Sequence, residues 1–449
     1  MTDTESLIPN NQAITSDLDF RLKPSACRSR SYRASILPTN KSTFNPTDTC
    51  IIYIPGGRRN TYLDCGQSYM RMTIKNTDPT GTFRIDNAAT CVINRLDVFH
   101  GSNLLETIQA YNVLTSYILD MQASASQRLG LSNIYGVDAQ LGDRSGISLL
   151  AAAQQTFCLP IFSGVVGVLS DKMLPIGLLA DDIRIEITFE TLAQAVCQTT
   201  LLTAAGLYQI LDFQLELTIV ELSDEGENMV RNNYQYPEMP LYLHGSSWRH
   251  YTSQLPASAG GYSTLVPARF ASLKQLALCP RRSTEIVNLK GYSIGSRVNP
   301  NFAYYWFRIG SAIVPPKAVY LENSGNTGGY GEAYAELLKS WHDLHTVANS
   351  TALGAEYAVA DATIANCPQV AVTANVTIAS YKNGFVIAQE MESFAQRSDV
   401  LLSGMNTLSS QIFFETTINT APTNTYTLDF FAWYDHIMVI DRGIISIKY

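Results

Sequence analysis

The chain contains one pattern typical of a hydrolase nucleophile. The motif GxSxG, in which a tight strand-to-helix turn exposes a serine hydroxyl, occurs once, at Gly291-Tyr292-Ser293-Ile294-Gly295. A nucleophilic serine of this type needs a helix directly after the turn, but Asn299 and Pro300 lead into another strand-like run. We therefore interpret Ser293 as part of a structural turn and not as a nucleophile.

A second candidate is a phosphate site in a glycine-rich turn. Arg58 and Arg59 follow Ile54-Pro55-Gly56-Gly57, so glycine amides and two guanidinium groups are close in sequence. Phosphate-binding loops lead into a helix, whereas this turn precedes the strand-like run Tyr62–Lys75. A solvated hairpin turn explains the pattern better.

Metal and cofactor patterns are weak. His342 and His345 have a helical spacing that can share a metal, but no third ligand of recognisable spacing accompanies them. His244 and His250 are too far apart in sequence for the paired histidines of a cupin metal centre. Neither GxxxxGK[ST] nor HExxH occurs. We predict no catalytic residue, no bound metal and no cofactor, and hence no enzyme.

The elements that carry these residues occur twice. Leu211-Asp212-Phe213 lies in a strand-like run and recurs 217 positions later as Leu428-Asp429-Phe430. Tyr111 and Leu114 belong to a short helical pattern that recurs 223 positions later. Two such similar offsets predict one module of roughly 200 residues duplicated in tandem.

Composition agrees with two compact domains. The chain has 449 residues, of which 46% are hydrophobic and 16% charged, with 24 Tyr and 17 Phe. This length exceeds a single hydrophobic core and suits two. The net charge of -8 disfavours a protein that coats nucleic acid. Low charge with many aromatic residues predicts extensive contacts with partners.

Strand patterns dominate both halves. Ile183–Phe189 alternates strictly between apolar and polar residues, which indicates a sheet with one buried face. Further strands are expected in the second half, among them Glu285–Ile294 and Val370–Ile378. Helical patterns are confined to Leu104–Met121 and Glu332–His345. The chain is therefore predicted to be all-β, with two packed-sheet sandwiches or barrels.

Domain boundaries follow from changes in composition. We predict an N-terminal arm over 1–45, a first module over 46–226, a linker over 227–240 and a second module over 241–449. The linker is an Asn-rich stretch that ends in Pro237 and Pro240.

The predicted arm changes sign along its length. Met1–Asp19 carries four acids and no cation, whereas Phe20–Lys41 carries six cations and no acid. Five of these cations form the candidate contact surface of the arm: Arg21, Lys23, Arg28, Arg30 and Arg33. One interpretation is a solvated terminus. The other is a basic arm that touches DNA, lipid or a neighbouring subunit.

Several segments resemble a known family. Ile54-Pro55-Gly56-Gly57, Tyr62-Leu63-Asp64 and Ser68-Tyr69-Met70-Arg71-Met72 are similar to the first strands of double jelly-roll major capsid proteins of the adenovirus-like DNA virus lineage. Later segments that resemble the same family are Asp97–Ser102, Glu106–Asp120, Phe157–Gly164, Leu174-Pro175, Phe270–Lys274 and Ser403–Thr407. The resemblance is closest to capsid proteins of virophages and polinton-like viruses.

The resemblance implies a fold and a function. Each half would be an eight-stranded jelly roll with short helices in its inter-strand loops, and Leu255–Ser263 and Ser324–Gly331 would lie in an outer tower. The protein would be the structural major capsid protein of a virion, forming homotrimers that tile an icosahedral shell as pseudo-hexagonal capsomers. Implied partners are other copies of itself, then penton and minor capsid proteins, with the arm meeting genome or membrane inside.

Two alternatives remain open. One is a minor capsid or receptor-binding jelly-roll protein, and the other is a β-sandwich carbohydrate-binding module. The oligomeric state separates them from a capsomer, because a capsomer of this type has three subunits and a carbohydrate-binding module would be a monomer or a dimer.

Overall fold

A computed structural model describes residues 26–138, 146–198, 202–203, 206–287, 289, 292–295, 297–321, 330–341, 384–393 and 401–449. Several predictions concern residues outside these ranges. They are Arg21, Lys23, His342, His345, the strand Val370–Ile378 and all of Ser324–Gly331 except its last two residues.

The first half of the described chain is a two-sheet sandwich. Its eight main strands are β1 (Ser29–Ile36), β3 (Thr49–Ile54), β4 (Thr61–Asn76), β6 (Ile93–His100), β7 (Asn103–Ile108), β9 (Gln154–Pro160), β10 (Ile183–Phe189) and β12 (Tyr208–Leu222). One sheet has the order β1-β12-β4-β9 and the other β3-β10-β6-β7. The short β2 (Thr43–Phe44) pairs with β12, and β5 (Phe83–Ile85), β8 (Ser148–Leu149) and β11 (Val196–Gln198) form a small third sheet.

The second half repeats this arrangement. Its main strands are β13 (Leu241–Leu255), β14 (Gly261–Val266), β15 (Leu273–Arg282), β16 (Phe302–Ile309), β17 (Ala312–Tyr320), β18 (Ile387–Glu390), β19 (Ile412–Ile418) and β20 (Tyr426–Asp441). The sheets have the orders β13-β20-β15-β18 and β14-β19-β16-β17, and β21 (Ile444–Lys448) pairs with β20.

The strand order in both halves is that of a jelly roll. In each half the first main strand pairs with the last, and the second pairs with the seventh. Leu215 of β12 pairs with Ile36 and Met70, and Ala432 of β20, 217 positions later, pairs with Arg249 and Leu276 of the corresponding strands. The predicted all-β fold of two tandem eight-stranded jelly rolls is confirmed.

The repeated phenylalanine makes the same packing contact in both rolls. Phe213 packs edge-on against Phe189 of the opposite sheet, with ring centroids 6.0 Å apart. Phe430 packs in the same way against Phe414, at 5.6 Å. All four side chains are buried, so each roll has an aromatic pair that joins its two sheets.

Helices are short and lie in connections. They are α1 (Tyr111–Gln122), α2 (Ala125–Gly130), α3 (Ser132–Tyr135), α4 (Leu192–Ala195), α5 (Asp224–Tyr234), α6 (Ser283–Ile286) and α7 (Gly331–Lys339). The predicted repeat of a helix in each module is present, because α1 follows β7 and α7 follows the equivalent β17.

Two local predictions were wrong. The helix predicted from Leu104 begins only at Tyr111, because residues 103–108 pair with β6 and their apolar spacing fits a strand equally well. In the predicted strand Glu285–Ile294, Glu285 and Ile286 belong instead to the single helical turn α6, and the other described residues of the range are not in a strand.

The N-terminal region differs from an arm that precedes the first strand. Ser29–Ile36 is itself the first strand, paired along its whole length with β12. The predicted linker likewise overlaps helix α5, whose N-terminus is capped by the Ser223 side chain, which accepts the N–H of Gly226. Acidic residues in its first turn suit the positive end of the helix dipole.

Candidate functional site

Several buried charged groups lie at the junction between the two rolls. Asp86, in the connection after β5, is 2% exposed. Its carboxylate accepts the backbone N–H groups of Ser293 and Ile294 at 2.7 Å each and that of Gly295 at 3.2 Å. These amides belong to the GxSxG turn, and the Ser293 hydroxyl donates to the carbonyl of Gln194 at 3.2 Å. The motif therefore forms a contact between the rolls, as the structural interpretation expected.

A charged triad lies deeper in the same junction. Asp120 on α1 accepts hydrogen bonds from the guanidinium groups of Arg128, on α2, and Arg297, in the second roll. All three side chains are at most 1% exposed. Because removal of one partner from such a group leaves an uncompensated buried charge, this triad ties the two rolls together.

Glu106 on β7 is a third buried acid at the junction. Its carboxylate accepts the Ser163 hydroxyl and, at 3.0 Å, the Gly164 N–H from its own roll. It also accepts the hydroxyl of Ser247 on β13 of the second roll. Burial raises the pKa of Glu106. This carboxyl group thus fixes one strand of each roll to the same loop.

That loop, between β9 and β10, also covers the edge of β13. The Ser246 N–H donates to the carbonyl of Leu169 at 3.3 Å, and Ser170 forms an antiparallel bridge with Gly245. A Cβ atom on Gly164 would lie 2.3 Å from the carbonyl oxygen of Ser246, so only glycine allows this approach. The first roll therefore protects part of the sheet edge of the second.

Aromatic side chains pack around the buried charges. Tyr117 on α1 meets Trp248 and Trp341 edge-on, at centroid distances of 6.2 and 5.4 Å. Trp248 stacks on Trp433 at 5.5 Å. The indole N–H of Trp341 donates to the Tyr117 hydroxyl at 2.6 Å. Three of the four tryptophans of the chain are thus committed to this junction.

Histidines complete the junction near its surface. Nδ1 of His244 lies 2.6 Å from a carboxylate oxygen of Asp171 in the first roll. The carboxylate of Asp435, 3.4 Å from Nε2, and next that of Asp171 raise the pKa of His244. His250 instead pairs with Asp429 at 2.8 Å, so the two histidines considered for a cupin centre serve different carboxylates. Within the described residues, no group of three His, Cys, Asp or Glu side chains has a metal-binding arrangement.

The described part of the basic arm is brought together with the glycine-rich turn. Arg30 and Arg58 lie over the ring of Tyr32, with 5.8 and 5.5 Å to its centroid. Acids oppose this positive charge, since Arg30 pairs with Glu221 at 2.8 Å. Arg33 pairs with Glu216 at 2.6 Å, and Arg59 lies 3.2 Å from Asp224. Arg28 is exposed beside Arg30 and Glu221.

Sequence reasoning missed the acids of the junction. Asp86, Glu106 and Asp120 belong to no site motif and were not predicted as site residues, although Glu106–Asp120 was part of the family resemblance. The available signal was an isolated acid within an otherwise apolar segment, as in Ser116-Tyr117-Ile118-Leu119-Asp120. No described helix has both the length and the apolar character required to cross a bilayer.

Solved structures show the same fold over almost the whole chain. PBCV-1 VP54, fitted into a cryo-EM reconstruction of the virophage Sputnik, has a TM-score of 0.60 at 10% identity and covers 96% of this chain and 99% of its own. The Faustovirus major capsid protein has a TM-score of 0.57 at 8% identity, covering 96% and 92%. The mavirus major capsid protein has a TM-score of 0.54 at 9% identity, covering 97% and 93%.

These structures define the class of fold to which the chain belongs. It has the double jelly-roll fold of viral major capsid proteins, and the resemblance found in the sequence is confirmed at the level of the fold. No protein-family model and no curated protein sequence matches the chain.

The close approach at Gly164 generates a first prediction. Gly164→Ala places a methyl group 2.3 Å from the Ser246 carbonyl and 2.5 Å from Cε1 of His436, so the two rolls must shift apart locally. We expect a loss of roughly 1–3 kcal/mol in the free energy of unfolding, measured by urea denaturation. Gly130→Ala is the matched control, because nothing lies within 4 Å of its added Cβ atom. Equal stability of the two variants would contradict the proposed contact.

The buried histidine His436 generates a prediction about pH. Burial, and next the charge of His244, lower the pKa of His436 from 6.5 to about 4. Above pH 6.5 the imidazole is neutral in both the folded and the unfolded state, so its protonation does not change the free energy of unfolding. As the pH falls from 6.5 to about 4, the unfolded chain takes up the proton first, and about 3 kcal/mol of stability is lost.

Other groups at the junction modify this loss in known directions. His244, with its raised pKa, contributes stability that is fully present below pH 6.5, so it is constant across this window. Burial lowers the pKa of His100 and adds to the loss, whereas the raised pKa of Glu106 opposes it. His436→Gln should therefore flatten the fall in unfolding free energy between pH 6.5 and 4. An unchanged slope would refute the role of His436.

Proposed function

We propose that this protein is the major subunit of an icosahedral viral capsid and acts by association with copies of itself. The observation that carries this proposal is the paired jelly roll, with one strand order repeated across the whole chain. Further support comes from the similarity to the Faustovirus and mavirus major capsid proteins, which extends over more than nine tenths of both chains.

The junction described above suits a building block that must keep its shape. Buried charges and stacked tryptophans join the rolls, so the pair behaves as one rigid body and not as two domains on a linker. Three such bodies around a threefold axis present six similar walls, which matches hexagonal tiling. The different side chains of the two halves keep neighbouring contacts distinguishable.

Exposed apolar side chains support association as well. Large hydrophobic residues remain uncovered in both rolls, including Leu150 at 66% exposure and Val287 at 76%. Burying such groups against other copies, or against penton and minor capsid proteins, would stabilise a shell without any catalytic site. In this proposal the protein resides in the virion.

The oligomeric state tests this function. We expect size-exclusion chromatography with light scattering to give a mass near 149 kDa, three times the 49.5 kDa of one chain. Electron microscopy of the same sample should show particles with a nearly hexagonal outline. A stable monomer or dimer that retains a sugar on a glycan array would contradict the capsomer and favour a carbohydrate-binding module.

The basic arm is proposed to face the particle interior and to contact genome or membrane. Arg30 and Arg33 are held by acids of β12, so the cations left for such a partner are Arg21, Lys23 and Arg28. Replacing these three by Gln should reduce the genome or lipid content of assembled particles and leave the trimer intact. Lys317→Gln, an exposed cation on the wall of the second roll, is the control. Unchanged particle contents would refute this role.

A further inference from the structure

Several sheet edges in the described part of the chain are covered by other residues or contain charges or prolines that disfavour pairing with another strand. The outer edge of β3 is covered by the chain that follows β1: the Thr39 N–H donates to the Ile51 carbonyl at 2.9 Å, and the Asn40 side chain bonds to both Thr49 and Ile51. An unpaired strand edge is a template for pairing with another chain, so proteins protect such edges.

The other edges of the second roll have their own protection. The loop between β9 and β10 covers part of β13, and helix α7 packs against β18. The edge strand β17 contains Pro315 and Pro316 followed by Lys317, which prevent a continuous ladder on that side. In the first roll, the edge strand β1 carries the exposed cations Arg30 and Arg33.

No residue in the described part of the chain pairs with the outer edge of strand β14, the counterpart of β3. Its sequence, Gly261-Tyr262-Ser263-Thr264-Leu265-Val266, contains no charge and no proline. Only five residues connect it to β13, so this connection is too short to fold back along it as residues 39–40 do along β3. Leu265 is 47% exposed beside this edge.

The ladder between β14 and β19 shows which groups are open. The Ile418 N–H donates to the Gly260 carbonyl at 3.1 Å, and hydrogen-bonded pairs alternate along an antiparallel ladder. Tyr262 and Thr264 are therefore the residues bonded to β19, in register with Thr416 and Phe414. Ser263 and Leu265 direct their N–H and C=O groups outward, and no described residue bonds to these groups.

The chain itself contains a segment with the pattern of a matching strand. Residues 14–22 read Ile-Thr-Ser-Asp-Leu-Asp-Phe-Arg-Leu, with Ile14, Leu18, Phe20 and Leu22 on one side of a period of two and charged residues on the other. The apolar side of such a strand would complement the exposed Leu265, and its length exceeds that of the six-residue edge.

We propose that residues 14–22 of one copy add as an extra strand to the outer edge of β14 in a neighbouring copy. Main-chain hydrogen bonds to Ser263 and Leu265 supply the affinity, and the alternate apolar side chains set the register. A contact of this kind between different surfaces of identical chains closes into a ring of three when successive copies are related by a threefold rotation, which suits a trimer. The inference rests on the self-association in the proposed function.

Amide hydrogen exchange on the full chain tests this inference. In the assembled protein, the Ser263 and Leu265 amides should exchange at least about tenfold more slowly than in the double variant Leu18→Asp/Phe20→Asp. The control Asp17→Asn/Asp19→Asn, which alters the other side of the same segment, should retain the slow exchange. Equal rates in the wild type and the Leu18/Phe20 variant would overturn the proposal.

A second pair of variants changes the edge instead of the segment. Ser263→Pro removes an outward N–H and leaves the bonds to β19 in place, whereas Ser263→Ala keeps the outward N–H. Only Ser263→Pro should abolish protection of the Leu265 amide against exchange and weaken the oligomer. Protection that persists in Ser263→Pro would overturn the proposal.

Light scattering on the same samples separates failure of this inference from failure of the proposed function. Wild-type trimers in which the Ser263 and Leu265 amides exchange as fast as in the Leu18/Phe20 variant would leave the capsid proposal standing and refute the added strand. Monomers with slow Ser263 and Leu265 amides would show that the segment docks within its own chain, and would refute both proposals.

Discussion

The arrangement of the two rolls depends on hydrogen bonds and ion pairs to buried carboxylates, because an unpaired buried charge is strongly destabilising. Asp120 is completely buried, and its two guanidinium partners come from different parts of the chain, one of them from the second roll. Asp86 and Glu106 obey the same rule through amides and hydroxyls of the opposite roll. Because each of these acids accepts at least one hydrogen bond from the second roll, electrostatics as well as apolar packing fixes the relative position of the rolls.

The same kind of pairing is found in the two motifs that suggested catalysis or phosphate binding. The serine of the GxSxG turn is 2% exposed and its amide serves Asp86, so the turn acts as an anion-binding nest for a protein carboxylate. The arginines of the glycine-rich turn face Tyr32 and Asp224. In both cases the groups that resembled a ligand-binding site already contact other side chains of the same chain.

The two rolls have the same strand order, but the segments that cover their sheet edges differ. In the first roll a stretch of chain covers β3, whereas the connection before the equivalent β14 is shorter and no described residue covers that edge. Likewise β13 receives a loop of the first roll along its edge. Differences of this kind, and not differences in the cores, separate inward contacts from surfaces available to other copies.

The sequence by itself determined the elements whose signal is local. The strict alternation of Ile183–Phe189 appears as β10 with the same bounds, and the repeated Leu-Asp-Phe run marks equivalent strands in two jelly rolls. Only the tertiary structure decided that residues 103–108 form a strand, because an apolar spacing that fits both periods is settled by the neighbouring β6.

The tertiary structure alone also identified Asp86, Glu106 and Asp120 as the residues that hold the rolls together. Their partners in the second roll lie 141 to 209 positions away in the chain. A local pattern carries no information about such distant partners, since they meet only after both cores have formed.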